Sequence, residues 1–184
     1  MDLKRSTLLC FTLFFLTILI PTLSELCNPH DKKVLLEIQA AFNNPYTLIS
    51  WKPDVDCCTT WNNVECDPIT NRITSLSILS YDQVSGHIPP QVGDLPYLEQ
   101  LVIRKQPNVT GPIQPAIAKL KNLKWLRLGW NNLSGSVPDF IRQLKNLTFI
   151  ELNYNHLTGS IPSSLSLLPN LASLRLDRNK LTGI

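Results

Sequence analysis

From position 73 onward, apolar residues return along the chain in a fixed step. The triplets Ile73/Leu76/Ile78, Leu98/Leu101/Ile103, Leu123/Leu126/Leu128, Leu147/Ile150/Leu152 and Leu171/Leu174/Leu176 keep one internal spacing. Gly86, Gly111, Gly135, Gly159 and Gly183 follow them, separated by 25, 24, 24 and 24 residues. Self-similarity at such a period marks a stacked array in which each unit buries its apolar side against its neighbours. Leu126 and Leu128 alternate with Trp125, Arg127 and Gly129, which predicts a short strand with leucines inward and the other residues outward. Each glycine follows Ser or Thr and suits a positive φ or a close backbone approach. Ile88-Pro89, Val137-Pro138 and Ile161-Pro162 then carry the chain, extended, to an outer face where Phe140, Ile141 and Leu144 cover the core. Asn131, Asn155 and Asn179 recur just after the strand, where an amide can satisfy backbone groups of its own and the adjoining turn. Counting back from the glycines puts Asp82 and Pro107 at that position in the first two repeats, which predicts an irregular ladder at that end.

Residues 25–71 lack the repeat and read as a cap for the apolar end of the stack. Asp31 is the expected N-cap of a helix whose Val34, Leu35, Ile38, Ala41 and Phe42 share one face, with Asn43-Asn44-Pro45 stopping it. Trp51 and Trp61 flank paired cysteines and are expected in the core of this cap. The predicted class is α/β: a right-handed solenoid over residues 72–184, with a parallel sheet on its concave side and a disulfide-stapled helical cap.

Residues 1–24 read as a secretory leader, with Lys4 and Arg5 before an apolar run from 8 to 20, and small residues Thr22 and Ser24 at the cleavage positions. That run of about 13 residues is shorter than the roughly 20 a membrane span needs. Of 17 Lys+Arg and 14 Asp+Glu, the leader holds Lys4, Arg5 and Asp2, leaving 15 and 13 and a net charge of +2. So small an excess does not argue for nucleic acid. No second apolar span, lipidation signal or polybasic run follows, which predicts a secreted product without a membrane span. Cys27, Cys57, Cys58 and Cys66 remain after the leader. Adjacent Cys57 and Cys58 rarely bond to each other, which leaves Cys27–Cys57 with Cys58–Cys66, or Cys27–Cys58 with Cys57–Cys66. Zinc is the competing use of four cysteines, but secretion and the lack of a nearby His pair argue against it.

The unit L-x-x-L-x-L-x-x-N-x-L-x-G-x-I-P resembles the plant extracellular leucine-rich repeat. Residues 26–38 (LCNPHDKKVLLEI), 48–67 (LISWKPDVDCCTTWNNVECD), 94–101 (DLPYLEQL), 108–124 (NVTGPIQPAIAKLKNLK) and the tract 134–171 resemble the polygalacturonase-inhibiting proteins. That resemblance implies a plant cell-wall protein that binds fungal, and sometimes insect, endo-polygalacturonases on its concave face and slows their cleavage of pectin. It also implies cap cysteines paired in sequence order, Cys27 with Cys57 and Cys58 with Cys66. Family members carry about ten repeats and a C-terminal cysteine cap. This chain holds four complete repeats and the start of a fifth, and reads as a fragment or truncated product. A receptor or co-receptor ectodomain binding a peptide or hormone, and a cell-wall module binding pectin or oligogalacturonides, are the alternative readings.

The outward strand positions are where a partner would be read. They hold Glu99, Gln100, Val102, Arg104 and Lys105; Lys124, Trp125, Arg127, Gly129 and Trp130; Thr148, Phe149, Glu151, Asn153 and Tyr154; and Ala172, Ser173, Arg175, Asp177 and Arg178. Six basic residues, three acidic and four aromatic make the composition of an interface. The candidate contacts are Arg104, Lys105, Lys124, Trp125, Arg127, Trp130, Phe149, Glu151, Tyr154, Arg175, Asp177 and Arg178. The guanidinium forks suit carboxylates of an enzyme surface or of pectin. Sequons at Asn108, Asn132 and Asn146 predict glycosylation, with Asn108 and Asn132 at one repeat position. His30, His87 and His156 stand apart from any nucleophile or acid at useful spacing, and no cofactor or metal motif occurs, so catalysis is not expected.

Overall fold

The first helix, α1 (Pro29–Ala41), begins at Asn28, whose side chain accepts the N–H groups of His30 at 3.0 Å and Asp31 at 3.3 Å. Asn28, not Asp31, is therefore the N-cap: Pro29 has the fixed φ that suits the first helical position, which moves the cap upstream. Asp31 is instead 1% exposed, paired through both oxygens with Arg72 at 2.8 Å and accepting Ile73 N–H at 3.0 Å. The computed structural model describes residues 26–79 and 84–183. The leader (residues 1–24) and Asp82 lie outside them. No helix among the described residues is long and apolar enough to cross a membrane.

Val34, Leu35, Ile38 and Phe42 are buried, while Ala41, the last helical residue, is exposed rather than on the core face. Asn43 and Asn44 then take φ of 59° and 50°, a left-handed turn that ends the helix. Trp51 and Trp61 stack with centroids 5.4 Å apart inside the cap, and Trp51 Nε1 donates to Asn62 O at 2.7 Å. A single-turn helix, α2 (Cys57–Thr60), is capped by Asp56, which accepts the N–H groups of Cys58, Thr59 and Cys27. Cys27 is bonded to Cys57, and Cys58 to Cys66. The sulfurs of Cys27, Cys57 and Cys58 lie within 4.8 Å of one another because two disulfides adjoin; none is a free thiolate for zinc.

Strand β1 (Val64–Cys66) pairs antiparallel with β2 (Ile73–Ile78), so the cap forms the edge of the repeat sheet. The concave sheet continues in parallel through β4 (Gln100–Ile103), β6 (Trp125–Arg127), β8 (Phe149–Glu151) and β10 (Ser173–Arg175). Leu101, Leu126 and Ile150 align in one fully buried row, with Ile103, Leu128 and Leu152 behind them. A second parallel sheet, absent from the sequence-based expectation, runs through β3 (Gly86–His87), β5 (Gln106–Gly111), β7 (Asn131–Ser136), β9 (His156–Gly159) and β11 (Lys180–Leu181). On the outer face the returns form one-turn 3₁₀ helices, at Pro90–Asp94, Pro115–Lys119, Asp139–Gln143 and Ser163–Leu167. Val92, Ile117, Ile141 and Leu165 of these turns face inward.

The asparagine ladder is direct. Asn155 Nδ2 donates to Leu128 O at 2.8 Å and Leu152 O at 3.1 Å, while its Oδ1 accepts Leu133 N–H at 3.0 Å. Asn131 and Asn179 repeat the pattern. In the second repeat the rung is Gln106, not Pro107. Gln106 is fully buried, its Oε1 accepts Val84 N–H at 3.1 Å, and its own N–H reaches Asn131 Oδ1 at 2.9 Å. The extra residue of this 25-residue unit falls between Gln106 and Thr110, where the pairing register shifts. Counting back from Gly111 therefore misses the rung by one. Gly111 itself has φ +80°, and a Cβ added there would lie 2.2 Å from the His87 ring, so any other residue would strain the backbone and displace His87.

Candidate partner-binding face

Parallel register places the outward residues in columns. Ser75, Gln100, Trp125, Phe149 and Ser173 form one, and Ser77, Val102, Arg127, Glu151 and Arg175 the next. Lys105, Trp130, Tyr154 and Arg178, at the far edge, all have φ between 52° and 62°. The left-handed turn precedes each ladder rung, and the N–H groups of Trp130 and Tyr154 bond across to Asn153 O and Asp177 O. This geometry stands the edge side chains up: Trp130 and Tyr154 stack at 3.6 Å between centroids, with the Arg178 guanidinium 5.8 Å from the Tyr154 ring. Trp130 is 41% exposed and Trp125 38%. Lys105 is half-buried.

The charges divide into paired and outward-facing groups. Lys124 meets Glu99 at 2.7 Å. Glu151, expected as a presented carboxylate, is 1% exposed: Arg104 lies 2.7 Å from one of its oxygens and Arg127 donates to the other at 2.8 Å. It is a buried counter-ion of the concave face and does not itself reach solvent. The reason is that Arg127 on the adjoining strand β6 and Arg104, just after β4 two strands away, close over it. Arg127 and Arg175 also lie 5.6 and 5.4 Å from the Phe149 ring on either side of its strand. Arg175, Asp177 and Arg178 are exposed. Val102, though outward, is buried.

Two recesses open on this side. One of about 320 Å³ is lined by Gln100, Trp125, Arg127, Phe149 and Arg175. Another of about 390 Å³ lies along the far edge among Trp130, Tyr154, Arg178, the rungs Asn131 and Asn155, and two residues beside rungs, Pro107 and His156. The signal for those two was their place next to the ladder rungs, on strands of the second sheet that the sequence reading took for turns. Of the sequon residues, Asn108 and Asn132 are exposed on the second sheet, each three residues before its glycine; Asn132 lies one residue beyond its rung and Asn108 two beyond Gln106. Asn146 is also exposed, and its Nδ2 donates to Lys121 O at 2.9 Å, one of a second series with Asn122 and Asn170.

The arrangement can bind through aromatic and guanidinium groups, and comparison with known proteins places it. The "Leucine rich repeat N-terminal domain" profile matches residues 28–67 and the "Leucine rich repeat" profile residues 121–181. The solved structure of a BIR3–SERK2 complex from Arabidopsis thaliana holds a chain 32% identical, with a TM-score of 0.74, over 83% of this chain and 84% of that one. The chain belongs to the leucine-rich-repeat family. This leucine-rich-repeat chain is 68% identical over 130 residues to a polygalacturonase inhibitor of Pyrus communis, covering 71% of itself and 39% of that protein. It is 57% identical over 129 residues to polygalacturonase inhibitor 1 of Arabidopsis thaliana, covering 68% and 38%. A plant ice-binding protein of known structure is 52% identical with a TM-score of 0.82, over 84% of this chain and 50% of that one. The leucine-rich-repeat chain thus spans about two fifths of the length of these curated inhibitors.

Proposed function

We propose that this protein is a secreted inhibitor that binds endo-polygalacturonases of fungi or insects through its concave face and limits pectin cleavage in the plant cell wall. The observation that carries the reading is the identity of 57–68% to inhibitors from three plants, over stretches of 110 to 130 residues. Likeness to a receptor complex stands at 32%, which favours inhibition over a receptor ectodomain. The action is binding rather than catalysis. Exposed Trp125 and Trp130 supply apolar contact area, and Arg127, Arg175 and Arg178 address carboxylates on the enzyme. Carboxylates of pectin or oligogalacturonides are a further ligand for the same cations. Asn108 and Asn132 stand on the second sheet, so glycosylation there would leave the concave sheet clear.

The test is release of reducing ends from polygalacturonate by a panel of fungal and insect endo-polygalacturonases, with and without the secreted protein. A dose-dependent loss of activity in at least one enzyme is expected; undiminished activity across the panel refutes the reading.

A further inference from the structure

Glu151 stands on β8, yet one of the groups it meets, Arg104, follows β4, two strands away. The strand between them is β6, and the position it offers in the column of Arg104 and Asn153 is Gly129. A Cβ added at Gly129 would lie 3.2 Å from Glu151 Cγ and 2.5 Å from Asn153 Oδ1. The Glu151 side chain therefore crosses β6 through the gap that this glycine leaves. On the way it takes Arg127 Nε at 2.8 Å, and beyond the gap it lies 2.7 Å from Arg104 Nη2. Three residues of three successive repeats are joined by one carboxylate that is 1% exposed, while the Arg127 side chain keeps 35% of its surface open. Arg127 binds Glu151 through Nε, which leaves its Nη donors outside that bond.

We propose that Glu151 is a positioning residue: it holds Arg104 and Arg127 as one pre-ordered guanidinium pair that receives a carboxylate of the bound enzyme, and Gly129 is the opening that lets it do so. The proposal rests on the inhibitor reading above for the identity of the partner, though not for the ordering of the pair. A buried carboxylate that holds Arg127 by a hydrogen bond and Arg104 by an ion pair restrains both before binding, and rotamer freedom lost in advance is not lost on association. The alternative use of Glu151, as plain negative charge on the face, predicts an effect of opposite sign.

Glu151→Gln removes a negative charge from a basic surface, so charge alone would strengthen attraction to an acidic enzyme. Positioning predicts the reverse, a loss of inhibition of about tenfold or more, as for truncating one partner of a buried charge pair. The assay is titration of inhibition against whichever endo-polygalacturonase the wild-type protein inhibits, together with Arg Nε–H nuclear magnetic resonance of the free protein. In the wild type the Arg104 and Arg127 signals should be resolved and slow to exchange, with Arg175 as the averaged reference. Glu151→Asp keeps the charge but is one methylene shorter, and should retain order at Arg127 while releasing Arg104. Gly129→Ala, which touches no charge, should release Arg104 too, and covers the case in which Glu151→Gln does not fold. Inhibition equal to or better than wild type by folded Glu151→Gln overturns the proposal, as do averaged Arg104 and Arg127 signals in the wild type. If no enzyme is inhibited by the wild type, the inhibitor reading fails, and the resonance result alone then decides whether Glu151 orders the pair.

Discussion

Asn155→Ala tests the rule by which the stack is held together. The side chain is 6% exposed and its three shortest bonds go to backbone groups: it donates to Leu128 O and Leu152 O and accepts from Leu133 N–H, with a longer contact to Asn153 O at 3.3 Å. Counting three broken bonds would overstate the loss. Leu128 O also receives Asn131 Nδ2 at 2.9 Å, and Leu152 O also receives Asn179 Nδ2 at 2.9 Å, so each carbonyl keeps a donor from the neighbouring rung. Leu133 N–H has one proton and loses its acceptor inside a buried turn. An orphaned buried donor costs about 1–3 kcal/mol, and the two weakened carbonyls and the vacated volume add about 1 kcal/mol more. The expected destabilisation is about 2–4 kcal/mol, measured by urea denaturation monitored by far-ultraviolet circular dichroism. Asn132→Ala, one residue beyond the preceding rung and exposed, is the control and should change stability by no more than about 0.5 kcal/mol. Asn155→Asp keeps an acceptor for Leu133 N–H but turns a carboxylate toward two carbonyls, so it should be no better than alanine at neutral pH. A loss below about 1 kcal/mol for Asn155→Ala would refute the reasoning, because it would mean the turn satisfies Leu133 N–H without the ladder.

Two further expectations follow from burial and charge. Leu126→Ala, at a fully buried row of the core, should cost about 2–5 kcal/mol, whereas Trp125→Ala on the opposite side of the same strand should leave the melting midpoint near wild type and weaken enzyme inhibition; unfolding by Trp125→Ala would contradict its place on the surface. Burial works against the Asp56 carboxylate, but N–H donation from Cys27 and Cys58, the Thr59 hydroxyl and Leu26 N–H outweigh it and hold its pKa below the ordinary value. A lowered folded pKa stabilises fully above the unfolded value of about 3.9 and is lost as pH falls through the folded one. Stability of the wild type should therefore drop more than that of Asp56→Asn between about pH 4 and pH 2, and parallel curves would exclude Asp56 as a source of acid lability.

Much of the repeat was legible before any coordinates because its causes are local and periodic. A strand alternates every second residue, so Leu126 and Leu128 could be assigned inward and Trp125 outward from spacing alone. The rungs at Asn131, Asn155 and Asn179 follow from an invariant step, and the two tryptophans of the cap from their place beside the cysteines. Errors arose where the step broke. One inserted residue moved the second rung from Pro107 to Gln106, so that Asn108 lies two residues beyond its rung where Asn132 lies one. In the cap, helical spacing located α1 but not its first residue, since both Asn28 and Asp31 have capping side chains; Pro29 favours Asn28, and the docking of Arg72 uses Asp31 elsewhere.

Sequence by itself determined the period, the inward rows and the list of residues on the concave face, because each depends on the distance along the chain between like residues. Tertiary structure decided what that list means. Whether a glutamate on an outward position is offered to a partner or buried depends on residues one and two strands away, at separations of 24 and 47 along the chain. Glu151 lies between Arg127 and Arg104 only because stacking brings three repeats into lateral contact and Gly129 leaves the path open. The choice between the two cysteine pairings was of the same kind: spacing left both open, and the way the cap folds placed Cys27 against Cys57 and Cys58 against Cys66.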